Sequence, residues 1–216
     1  MNQVVAIPGY KPTGTIFPGW LRGAEQSFIE EFPPPLVERG QKIARQKLAE
    51  VSYSPASAEP LTLLTVSSTT GIRAAEYLQG RLSQELGLKI RVDQQSFKQY
   101  LARARAGDFD LALSSWFPDF DDLITYADLL GTHNPNNRGR YQNPDYDRWL
   151  EVLRRNTDPA VRLPAADAIQ RIVVSDVPML PMAETSSAYL QHPRLKGVVR
   201  RTLGQDPDFT YARVLP

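Results

Sequence analysis

Between Leu61 and Trp116 the hydrophobic period of the chain switches repeatedly between that of a strand and that of a helix, and this alternation is its tightest constraint. LTLLTV (61–66) is an apolar run of strand length. Residues 71–86 carry Ile72, Ala75, Leu78, Leu82 and Leu86 as an amphipathic helical stripe, with Gly87 placed to stop it. LKIRV (88–92) alternates again, with Leu88, Ile90 and Val92 on one side. Phe97, Leu101 and Ala104 mark a helix over 97–106 ended by Gly107, and FDLALSSW (109–116) reads as a third strand. Strands separated by single helices at this spacing pair in parallel through right-handed crossovers. The expected fold is α/β, a three-layer domain whose central sheet is mixed or mainly parallel and holds 61–66, 88–92 and 109–115.

The flanking sequence adds helices and irregular chain. Pro8-Gly9, Pro12, Gly14, Pro18-Gly19 and Pro33-Pro34-Pro35 make residues 1–37 resist regular structure, whereas ERGQKIARQKLAE (38–50) is a good helix former. SPASAE (54–59) reads as a loop. Asn143-Pro144 pairs a capping side chain with a proline suited to a first helical turn, opening a helix to about Arg155. Asp158-Pro159 repeats the signal for a helix to about Ser175, which Pro164 should kink or delay. VPMLPM (177–182) reads as an edge strand or extended segment. The expected organisation is a Pro/Gly-rich segment and helix (1–60) packed on an α/β lobe (61–216), together one domain, a size that 216 residues can supply with one core.

Charge and composition exclude several function classes. With 25 basic and 24 acidic residues the net charge is +1, which gives no reason to expect a nucleic-acid partner. The absence of cysteine removes disulfides, Cys-bound metals and thiol nucleophiles. No apolar run is long enough to span a membrane. MNQVVAIPGYKPTG has neither the basic flank nor the apolar core of a signal peptide, so the expectation is either a cytoplasmic protein or a parent chain whose start is absent.

The chemistry on offer concentrates in FDLALSSWFPDFDDLITY (109–126). Asp119, Asp121 and Asp122 lie just beyond the third strand, where open α/β sheets carry ligand sites. Such carboxylates could run acid–base chemistry, hold a metal or pair with a cationic ligand group. Asp121 or Asp122 can instead cap a helix starting near Leu123, while Asp119 sits too far back for the simplest cap and has the better case for ligand contact. Trp116 is equally readable as core filler or as a flat ligand wall with an N–H at its edge. His133 and His192 are the only histidines and stand in no HExxH or paired arrangement. GxSxG, GxGxxG and GxxxxGK[ST] are absent, so no cofactor, metal or catalytic residue is expected.

Four segments together resemble the C-terminal part of the family 5 extracellular solute-binding proteins, the dipeptide- and oligopeptide-binding components of bacterial ABC importers. They are GDFDLALSSWFPDFDDLITYADLL (107–130), RYQNPDYDRWLEVLRRNTDPAVR (140–162), IQRIVVSDVPMLPM (169–182) and LKGVVRRTLGQDPDFTYARV (195–214). Leu123 departs from the family, which often has proline after the acidic pair, and residues 14–37 also depart.

The resemblance implies a type II periplasmic-binding-protein-like lobe, specifically the C-terminal one, with the N-terminal lobe of the parent missing. It implies capture of a di- or oligopeptide between two lobes and delivery to a membrane permease, in the periplasm or at an extracytoplasmic surface. Asp119 is implied as the partner of the peptide α-ammonium, and the expected ligand-binding set is Trp116, Phe117, Asp119, Arg138 and Arg140. A lobe for another solute, such as a sugar or metal chelate, is the nearer alternative. A small α/β hydrolase or transferase using Asp119, Asp121 and Asp122 is the alternative of another class.

Overall fold

A computed structural model describes residues 10–22, 28–31, 37–186, 189–201 and 207–216. The Pro8-Gly9 and Pro33-Pro34-Pro35 punctuation and residues 202–206 of the C-terminal motif lie outside these. The elements are β1 (Lys11–Pro12), a 3-10 turn (Gly19–Arg22), α1 (Phe28–Glu31), α2 (Val37–Glu50), β2 (Leu61–Val66), α3 (Thr69–Leu86), β3 (Ile90–Gln95), α4 (Phe97–Ala106), β4 (Leu111–Ala112), α5 (Ile124–Ala127) with a following 3-10 turn (Asp128–Leu130), α6 (Pro144–Arg155), α7 (Pro159–Asp176), β5 (Ala183–Glu184), β6 (Leu195–Lys196) and β7 (Arg213–Val214).

The central sheet is parallel, in the order β3-β2-β4. Because strand side chains alternate between faces, Leu63, Ile90 and Leu111 pack with Ala75, Leu78 and Leu82 of α3. Leu64, Val66 and Ala112 pack on the other face with Tyr100 and Ala104 of α4. The layers are therefore helix, sheet, helix, as the alternation predicts. The boundaries differ in three places. Ser68 accepts from the Gly71 N–H, so α3 starts at Thr69 rather than Gly71. β3 runs past the apolar LKIRV to Gln95, because its ladder to β2 needs only backbone and continues through Asp93 and Gln94. β4 shrinks to Leu111–Ala112, although the Asp110 N–H to Thr62 carbonyl and Leu113 N–H to Leu64 carbonyl bonds extend its contact with β2. Gly87 and Gly107 adopt the left-handed backbone (φ 68° and 76°) that lets each end its helix.

A second core lies outside the sheet. Leu123, Ala127 and Leu130 join Tyr146, Leu150 and Leu153 of α6 and Ala165, Ala166, Ile169 and Val173 of α7. Asn143 caps α6, accepting from the Asp145 and Tyr146 N–H groups, and Asp158 caps α7. α7 does not start late: it runs from Pro159 to Asp176 with Pro164 inside, and Ala165, Ala166 and Ile169 immediately after the proline are fully buried against the core. Phe17 and Phe28 belong to this core as well. The chain around Phe17 is fastened by Gln170, fully buried on α7, which accepts from the Ile16 N–H (3.0 Å) and donates to the Gly14 carbonyl (3.2 Å). Residues 177–182 form no strand; Met182 accepts from the Thr13 N–H, and the adjoining β5 pairs antiparallel with β1.

Candidate functional site

The Trp-x-x-Asp turn is strung between the two cores. On its N-terminal side Ala112 and Leu113 pack on the two faces of the sheet. On its C-terminal side Leu123 is buried in the helical core. Between these anchors Ser114, Ser115, Trp116, Phe117, Asp119, Phe120 and Asp121 are all exposed. Trp116 is the most covered of the aromatics, at 37% exposure, against 70% for Phe117 and 51% for Phe120. Asp119 has no hydrogen-bond or ion-pair partner among the described residues. The turn thus exposes aromatic side chains and a carboxylate with no partner among the described residues at the C-terminal end of the sheet, the end where open α/β sheets take ligands.

Asp122 is spent on structure. It accepts from the Ile124 N–H at 2.8 Å and forms a two-pronged pair with Arg162 of α7, one prong at 2.7 Å. The Arg162 guanidinium holds the Asp122 carboxyl below the ordinary carboxylate range, overcoming the opposing effect of partial burial, and the Ile124 N–H adds to it. This is the capping role that the spacing allowed for Asp121 or Asp122. Asp121 is exposed; with Glu184 it adds to the effect of burial that pushes the Tyr126 hydroxyl up to about 12. The three carboxylates do not converge on one point, and no group of three or more His, Asp or Glu side chains among the described residues is placed to hold a metal ion.

Arg138 and Arg140 diverge. Arg138 Nη1 reaches Ser114 Oγ (3.4 Å), and its guanidinium lies over the Tyr100 ring, 5.7 Å from the centroid. That puts Arg138 beside the start of the turn. Arg140 instead donates to the Ala106 carbonyl at 2.7 Å and lies against Gly107, whose missing Cβ leaves room for it. It serves the C-terminus of α4, which abuts the entry to β4 rather than its exit. The left-handed backbone at Arg140 (φ 53°) turns the chain between the two side chains. Arg138 therefore lies beside Ser114, at the start of the turn that carries Trp116, Phe117 and Asp119, whereas Arg140 lies at the C-terminus of α4. Ser114, Phe120 and Arg162 belong to the site's setting and carried no signal in the sequence beyond their neighbourhood to the motif. Two concavities lie elsewhere, one along Lys89–Val92 beside Pro60, the other between Asp128, Thr132, His133 and Asp147.

Residues 1–138 match the profile of the bacterial extracellular solute-binding proteins, family 5 Middle. The chain belongs to this family. Among relatives, it is 27% identical over 221 residues to the periplasmic murein peptide-binding protein MppA of Escherichia coli, covering 100% of this chain and 39% of that one. It is 23% identical over 192 residues to the dipeptide-binding protein DppE of Bacillus subtilis, covering 88% of this chain and 35% of that one. A solved structure of the Escherichia coli murein tripeptide binding protein MppA superposes with a TM-score of 0.82 at 26% identity, over 92% of this chain and 39% of that chain. The chain thus spans 35% and 39% of the length of these two relatives. Its fold is that of type II periplasmic binding proteins. Leu123 after the Trp-x-x-Asp turn, Tyr141 and Tyr146 at the start of α6, and Ile169 and Val173 beside Gln170 all pack in the second core.

Proposed function

We propose that this chain forms one wall of the peptide-binding cleft in the substrate-binding component of an ABC importer, and that Asp119 anchors the peptide α-ammonium. The observation that carries the reading is an exposed carboxylate, without a partner among the described residues, on the turn that exposes Trp116 and Phe117 in a solute-binding family protein. A carboxylate kept free of internal partners is available for a charge-assisted bond to a primary amine, which becomes strong once water is excluded. Exclusion of water calls for a facing wall, and a second lobe supplied by the remaining length of such proteins provides it. Aromatic faces tolerate varied side chains, and water fills around them, so one cleft takes many sequences. Residues 1–60 and 61–216 act as one structural unit, since Gln170 and the core around Phe17 join them. The chain does no covalent chemistry. It works outside the cytoplasmic membrane and hands its ligand to a permease. Calorimetric titration of the protein in its natural length with free and N-acetylated peptides, for wild type and Asp119→Ala, tests the reading. Equal binding of free and acetylated peptides by the wild type would overturn it.

A further inference from the structure

We propose that the free edge of β3 pairs antiparallel with β3 of a second copy of this chain, about a two-fold axis at Val92. The two central sheets then join into one. β4 and the turn that follows it lie on the other side of β2, so each copy keeps its Trp116–Asp119 turn away from the junction.

β3 stands at the end of the order β3-β2-β4, so one side of it has no neighbouring strand among the described residues. The bonds to β2 show which groups face outward. The Leu61 N–H donates to the Lys89 carbonyl and the Ser67 N–H to the Gln95 carbonyl, both at 2.8 Å. Odd-numbered residues of β3 therefore turn their backbone to β2, and Ile90, Val92 and Gln94 turn theirs away. Side chains of α3 cover the start of this edge. Ser83 donates to the Leu88 carbonyl at 2.7 Å and Gln79 to the Ile90 carbonyl at 2.8 Å. No such cover reaches the backbone of Val92 or Gln94 among the described residues. An uncovered strand edge is a template for another strand.

Charge selects the occupant and the register. Arg91 meets the Thr62 hydroxyl at 2.8 Å and no carboxylate among the described residues. Two residues on, and on the same face, Asp93 shares the Arg103 guanidinium with Asp108, so one cation serves two carboxylates and a net negative charge remains. An antiparallel copy centred on Val92 sets Arg91 opposite Asp93 of the second copy, twice, in the close non-hydrogen-bonded pairs. The outward groups of Val92, and of Ile90 with Gln94, then bond across the axis. Moving the axis by one residue sets Arg91 against Arg91 or Asp93 against Asp93. Moving it by two sets Arg91 against Lys89 or Asp93 against the neutral Gln95. The edge is complementary to itself in one register.

The test is sedimentation velocity on the protein in its natural length, over a concentration series from micromolar to millimolar. Wild type should show a monomer–dimer equilibrium. Val92→Pro removes the outward N–H at the axis and leaves the ladder to β2 its donors, so it should abolish the dimer. Arg91→Glu sets like charges across the axis and should weaken association about tenfold or more. Arg148→Glu, an equal change of charge on the exposed side of α6, should leave association unchanged. If Val92→Pro does not fold, Arg91→Glu and its Arg148→Glu control decide. A wild type that stays monomeric throughout, a dimer that Arg91→Glu leaves intact, or one that Arg148→Glu weakens equally overturns the pairing. Protection of the Val92 and Gln94 amides from hydrogen exchange in a monomer would place a strand of the protein's remaining length on this edge, and would overturn the second copy as its occupant.

Discussion

The Tyr141 hydroxyl donates to the Asp176 carboxylate at 2.5 Å, joining the chain before α6 to the last residue of α7. Asn143, which caps α6, donates to the same carboxylate at 2.8 Å. The Tyr141-x-Asn143-Pro144 and Asp176-x-Pro178 runs are therefore two ends of one contact.

That contact has a definite pH signature. Hydrogen bonds from Tyr141 and then Asn143 hold the Asp176 carboxyl below its ordinary value. Its contribution to stability is present above the unfolded carboxylate pKa and is lost as pH falls through the lower folded value. Burial, and then the bond to Asp176, push Tyr141 up to about 12, so its contribution is complete below the unfolded tyrosine value and is lost as pH rises towards the folded one. Tyr141→Phe should flatten both limbs, read as melting temperature against pH from about 2 to 5 and from about 9.5 to 12.

Asp119→Ala should weaken peptide binding in the closed cleft by about 2–5 kcal/mol, the range for truncating one partner of an enclosed charge pair. N-acetylation of the peptide should cost a similar amount. The two changes together should fall well short of additive, because they remove the same contact. A calorimetric double cycle measures the coupling.

Arg162→Met should destabilise the fold by about 1–3 kcal/mol, between the values for exposed and fully buried pairs, because Asp122 loses both prongs while staying partly enclosed. The effect should shrink as pH falls below the unfolded carboxylate value towards the lower folded value of Asp122. Urea denaturation at about pH 7 and about pH 3 checks both points. Adding Asp122→Asn to the Arg162→Met variant should cost little more, since the pair is already broken.

Gln170→Leu should cost about 2–4 kcal/mol, since the Ile16 N–H and the Gly14 carbonyl each lose their partner in a buried setting. Hydrogen exchange at the Ile16 amide should rise well before exchange in β2. Uniform protection across both would show that Gln170 is not the fastening.

Gly107→Ala should destabilise by about 1–2 kcal/mol, from the left-handed backbone alone. The new methyl would also press on the Arg140 guanidinium at 3.2 Å. Arg140→Ala should relieve that second part only, which thermal melts of the single and double variants separate.

Local rules made much of the fold legible. The stripes of α3 and α4, their glycine stops, and the Asn143-Pro144 and Asp158-Pro159 starts all act within a turn or two of chain, and the structure keeps each of them. What escaped the sequence depends on distant partners. The polar end of β3 is a strand because β2 lies beside it. The helix after Asp158 starts on time in spite of Pro164 because its apolar face is covered by α6. Gln170 fastens chain more than 150 residues away, and no periodicity encodes a single polar contact. The same holds at the site. Asp122 as a cap could be read from its spacing to Ile124, but Arg162, 40 residues on, could not. The parting of Arg138 from Arg140 hangs on one left-handed residue that sequence rules assign to glycine or asparagine first.

The suspension of the Trp-x-x-Asp turn between sheet and helical core makes it a mechanical link as well as the proposed recognition surface. Each end is clamped to a different packed body, so any rocking of one body against the other must bend the segment that carries Trp116 and Asp119. A ligand that stiffens this segment acts as a splint. It should slow exchange in amides of both bodies at once, including positions on α7 that no ligand atom reaches.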